Sequence, residues 1–66
     1  MPHTLQELAQ MIADRDSISY NEGLIAVRDC EEALLEAFTA GNIDMADDIL
    51  REELGLEPDY LMLFIN

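Results

Sequence analysis

"SYNEGLIAVRDCEEALLEAFTAG", residues 19–41, decides the fold of this 66-residue chain. Ser19 and Glu22 stand at the spacing of a capping box, in which a serine side chain accepts from the third helical amide and the glutamate reaches back to the serine amide. Behind that start, Tyr20, Leu24, Val27, Leu34 and Phe38 recur on one side of a 3.6-residue period, and Gly41 supplies a left-handed cap. The spacing predicts a helix over 20–40 as the spine of the fold. Ala26, Ala33 and Ala37 form a flank of small residues that lets a neighbouring helix approach, while Glu22, Asp29, Glu32 and Glu36 gather on the opposite side.

Two residues break this division. Ile25 projects into the acidic stripe, where it is either simply exposed or a contact for a partner. Glu31 projects into the apolar face between Val27, Leu35 and Phe38, where it either snorkels to the rim or is a buried acid in need of Arg15, Arg28 or Arg51.

Upstream, Thr4 and Glu7 repeat the capping-box spacing. Leu5, Leu8, Ala9 and Ile12 oppose Gln6, Glu7, Gln10 and Asp14, which predicts an amphipathic helix over 5–14 broken by Asp14 to Ile18. Downstream, Asn42 is the expected N-cap of a helix over 43–54, closed by Gly55 at the C′ position. Ile43, Ala46, Leu50 and Leu54 share one of its sides, and Met45 with Ile49 forms a smaller apolar patch edged by Asp48 and Glu52. Pro58 suits the first turn of a last helix, 58–65, whose "YLMLFI" is apolar all round and either plugs the core or joins two protomers. An edge strand is the competing reading of that tail, because Tyr, Phe and Ile also favour strands. The expected fold is all-α, a compact bundle of about four short helices in one domain, 1–66.

Composition narrows the partners. Fifteen Asp and Glu against three Arg and no Lys give a net charge of −12, which repels nucleic-acid phosphates and anionic membrane surfaces alike. Half the residues are apolar, more than a small core absorbs on one face of each element, so surplus apolar surface and self-association are expected. Cys30 is the single cysteine, so no internal disulfide forms, and no basic leader or long apolar run is present. A cytoplasmic protein, with neither signal peptide nor membrane span, is the expectation.

The acids between residues 41 and 60 lack the alternating order about a glycine that a calcium loop requires, and they spread over different helix sides. His3 precedes the first cap as an exposed terminal residue. Cys30 reads as a small buried hydrophobe with no histidine nearby in sequence to activate it. No catalytic residue, cofactor or metal is expected, and an enzyme is not.

The stretches "QMIADRDSISYNEGLIAVRDC" (10–30) and "ADDILREELGLEPDYL" (46–61), with L-G-L-E-P-D-Y the most distinctive part, resemble small, acidic, all-helical proteins of bacteriophages and related mobile elements. The resemblance spans most of the chain. It implies a helical fold and a bacterial-host context, and it carries over no catalytic or binding residue.

The expected function is a non-enzymatic protein-interaction module that binds a partner protein, or itself as a homo-oligomer. Its apolar candidates are Ile25, Met45, Ile49, Tyr60, Leu61, Phe64 and Ile65. Its acidic candidates are Glu22, Asp29, Glu32, Glu36, Asp44, Asp48 and Glu52, which guide orientation and association rate. The same acids could instead make the chain a decoy that mimics nucleic acid in the groove of a host protein, or a weak binder of divalent cations.

Overall fold

Helix α2 (Tyr20–Thr39) is the axis about which the other elements are arranged in the computed structural model, which describes residues 1–65. Its Ser19 Oγ accepts from the Glu22 amide at 3.1 Å, and Glu22 Oε1 accepts from the Ser19 amide at 3.0 Å, so the capping box is complete. At the other end Gly41 takes φ +77°. The Asn42 amide then donates to the Ala37 carbonyl at 2.8 Å and the Gly41 amide to that of Phe38 at 3.1 Å. These are the paired bonds of a Schellman motif. A 20-residue helix is about 30 Å long, which accounts for most of the molecule's 34 Å long axis.

Before it runs α1 (Leu5–Asp16), two residues longer than its sequence pattern predicts. The Asp-Arg-Asp segment is polar without being helix-breaking. The chain turns only at Ser17, a non-glycine residue at φ 58°, with the Ile18 amide donating to the Ala13 carbonyl at 3.0 Å. Thr4 caps α1 through the Glu7 amide at 3.1 Å, but the Glu7 carboxylate takes the amide of His3, at 2.7 Å, in place of that of Thr4. The first capping box is therefore half formed.

After α2, Asn42 makes no side-chain cap, contrary to expectation. A 3₁₀ turn, Ile43–Met45, leads instead into α3 (Ala46–Leu54). Gly55, at φ +65°, reverses the chain, and the Leu56 amide donates to the Leu50 carbonyl at 3.2 Å, which draws the Leu56 side chain into the core. Pro58 then opens a 3₁₀ turn, Pro58–Leu61, that passes into the short α4 (Met62–Ile65). The tail is helical, and among the described residues there is no strand. No described helix is long and apolar enough to cross a membrane.

α1 and α3 both pack on α2, and the tail packs on α3. The seam of α2 is Gly23, Val27, Cys30, Leu34 and Ala37, a strict alternation of four- and three-residue steps. This corrects the predicted face. Tyr20 is 38% exposed, and Leu24 and Phe38 are only half-buried on the flank. The seam faces Leu8, Ala9, Ile12 and Ala13 of α1 on one side and Ala46, Leu50 and Leu54 of α3 on the other. Small residues win the centre because helix axes close to packing distance only where side chains are short. No polar or charged side chain is buried among the described residues.

Candidate interaction surfaces

With the seam at residues 23, 27, 30, 34 and 37, neighbouring apolar residues of α2 are turned outward. Ile25, half a turn from the seam, is 59% exposed among the acids, as its place on the wheel predicts. Leu35 is 63% exposed, because a residue adjacent to Leu34 is rotated about 100° from it and falls outside a narrow seam. The double leucine carried this signal, but it is legible only once the seam is phased on the small residues.

Leu34, Leu35 and Phe38 of α2 meet Phe64 of α4 to floor an open groove of about 370 Å³, with Arg28, Glu31 and Glu32 at its rim. Glu31 is exposed and takes part in no ion pair among the described residues, so the buried-acid reading is corrected in favour of the rim. Arg28 is likewise exposed and in no ion pair there.

The remaining apolar candidates divide. Met45 stands half exposed beside Ile43, whereas Ile49 is half-buried against the core, so their predicted patch is mostly Met45 with Ile43. In the tail, Tyr60, Leu61 and Phe64 pack on the core, and Ile65 with Met62 points outward. The Tyr60 hydroxyl donates to Met11 Sδ at 3.8 Å and ties the tail to α1. Within one chain the tail therefore covers the core with one side and leaves the other free. Leu35 and Ile43, which the sequence reading put on the apolar faces of their helices, are instead exposed, and so is Met62; none of the three was among its contact candidates.

The acidic candidates Glu22, Asp29, Glu32, Glu36, Asp44, Asp48 and Glu52 are all exposed. Two ion pairs occur among the described residues, Arg15 with Asp16 at 2.8 Å and Arg51 with Asp48 at 3.0 Å, each between near neighbours on an exposed surface. Such exposed pairs, screened by water and salt, add little to stability. The Arg15 guanidinium holds the Asp16 carboxyl below the usual carboxylate range, and the Ser19 amide does the same for Glu22. No group of three or more metal-ligating side chains comes together among the described residues.

Cys30 lies fully buried in the seam. Burial pushes its thiol up to about 11, with a smaller contribution from the Glu53 carboxylate. A thiolate is the reactive form, so at neutral pH this sulfur is inert. The shift also has a consequence for stability. The folded chain keeps the thiol proton after the unfolded chain, titrating at about 8.5, has lost it. Stability from this group is complete below the unfolded value and is lost as pH rises towards about 11, on the order of 3 kcal/mol in all. Urea titrations at successive pH values should show this alkaline loss in the wild type and its absence in Cys30→Ala, against that variant's own lower baseline.

No family model matches this chain, and no curated protein or solved structure shows significant similarity to it.

Proposed function

We propose that this chain is a non-enzymatic protein-interaction module, of the kind bacteriophages and mobile elements encode, acting in the cytoplasm of a bacterial host. The observation that carries the reading is the set of large apolar side chains left in water beside acids: Ile25, Leu35 and Met45 are each at least 50% exposed. Exposed apolar residues standing singly, as Ile25 does, are ordinary, but Leu35 adjoins Phe38 and Phe64 in a groove edged by Glu31 and Glu32, and apolar surface grouped inside a polar rim marks association sites. Burying Ile25, Leu35 or Met45 against a partner would supply affinity, while the −12 charge would speed and orient the encounter. Cys30 in the core is protonated and enclosed, which suits a packing role for that sulfur.

The decoy reading draws support from the same surface, since of the seven acidic candidates only Asp48 is in an ion pair among the described residues. One experiment separates the two. Tagged wild-type protein and an Ile25→Asp, Met45→Asp double variant are used for affinity capture from bacterial lysate at low and moderate salt. A protein retained at moderate salt and lost with the double variant supports an apolar contact surface. A partner with a basic nucleic-acid groove that is lost at moderate salt, and indifferent to the double variant, supports the decoy. Recovery of the bait as an oligomer in sedimentation, with nothing else, points to self-assembly.

A further inference from the structure

We propose that the groove between the C-terminal half of α2 and α4 receives a basic amphipathic helix of the partner protein, a refinement that rests on the interaction-module reading.

Three observations select this occupant. The first is shape. The α2 residues of the groove run from Arg28 to Phe38, about 15 Å along the helix, or nearly three turns. A guest helix laid along such a length presents anchors at i, i+3 or i+4, and i+7. The floor offers Leu35, largely exposed, and the half-buried rings of Phe38 and Phe64 to such anchors.

The second is charge. Glu31 and Glu32 stand at the rim with Arg28, none of the three in an ion pair among the described residues, and Glu36 follows one turn on, so acids outnumber the one cation there. The last turn of α2 contains no basic residue, although its carbonyl end favours a cation. Apolar floor and negative rim together call for a guest with leucine-like anchors flanked by Lys or Arg.

The third concerns the competing guest. A second copy of this chain would bring two bodies of −12 together, and in a two-fold arrangement Glu31, Glu32 and Glu36 would face their own copies with only one Arg28 from each side to offset them. Like charges brought together without counter-charges oppose association.

The probe is a fluorescein-labelled synthetic helix of Leu and Lys, about four turns long, with Leu at i, i+3, i+4 and i+7, titrated at about 0.15 M salt. Saturable binding is expected, with NMR shift changes centred on Leu35, Phe38 and Phe64. Leu35→Asp, at an exposed position that leaves the fold and its circular dichroism unchanged, should weaken binding at least about tenfold. Glu31→Gln with Glu32→Gln should weaken it about fivefold, whereas Asp44→Asn with Asp47→Asn, which removes equal charge away from the groove, should leave it within about twofold.

Equal losses for the two neutralised pairs, or indifference to Leu35→Asp, would mean that net charge alone holds the peptide, and would overturn the proposal. So would absence of binding, or a dimer in sedimentation that Leu35→Asp dissolves. A lysate partner that survives Leu35→Asp but is lost with Ile25→Asp and Met45→Asp would refute the groove and leave the module reading standing. Capture of no partner by any form, with the bait monomeric in sedimentation, would refute the module reading itself.

Discussion

Replacing Gly23 with alanine should lower the melting temperature by roughly 10–20 °C, a loss of about 2–3 kcal/mol. Helix propensity alone argues the opposite sign, since alanine is better than glycine in a helix interior by about 1 kcal/mol. The neighbour decides it: a Cβ on Gly23 would stand 2.4 Å from the Ala9 carbonyl oxygen, a backbone atom of α1 that cannot rotate away. Either α1 moves off α2, uncovering Leu8 and Ile12, or the clash remains. For a chain of this length total stability is only about 3–10 kcal/mol, so the effect is a large part of the whole. Gly41 provides the contrast: a Cβ there would meet nothing within 4 Å, but the backbone holds a left-handed φ of +77°. Gly41→Ala should cost about 1 kcal/mol from its own backbone, and Gly41→Asn less. Thermal melts followed by circular dichroism would test both; a rise in melting temperature for Gly23→Ala would refute the close crossing of α1 and α2.

Leu50→Ala should cost about 2–5 kcal/mol, enough to leave the chain partly unfolded at room temperature. Leu50 is wholly enclosed in the cluster that contains Leu8, Ile12, Val27 and Leu34, and its carbonyl also holds the Leu56 amide at 3.2 Å. The cavity would open where α3 meets α2 and where the chain turns back towards the tail. Ile49→Ala, at the half-buried neighbouring position, should cost about 1 kcal/mol, because a partly exposed site can close or fill with water. Urea midpoints at constant slope measure the two. Equal costs would mean that α3 is rotated from the orientation described.

The two capping sites show how far local chemistry reaches. Ser19 with Glu22 forms the reciprocal box that its spacing demands, because both partners lie within one turn. Thr4 with Glu7 has the same spacing, yet the Glu7 carboxylate bonds to His3, one residue further out, since the extended segment before the helix presents that amide as well. Gly41 and Gly55 end their helices as expected, because a left-handed backbone is a property of the residue itself. Ser17 ends α1 in the same conformation without being glycine, and nothing in its spacing announces that.

The candidate surfaces follow the same division. The exposure of Ile25 among acids was legible from the wheel alone. The groove was not, because it needs Phe64 from the far end of the chain beside Leu34 and Phe38, and a phase for α2 that turns Leu35 out. Phasing by the largest residues puts Tyr20 and Phe38 at the centre. Phasing by Gly23, Cys30 and Ala37 puts them at the edge, which is where they lie.

Helix content, helix order, the Ser19 capping box, the glycine ends at Gly41 and Gly55 and the acid-rich exterior were determined by the sequence itself, since each depends on residues within about one turn of one another or on charge that must face water. The tertiary structure alone decided the rotation of α2, the inward and outward sides of the tail, and the groove. Those depend on which side chains allow two other elements to reach one helix at once, a condition of volume that no single helix contains.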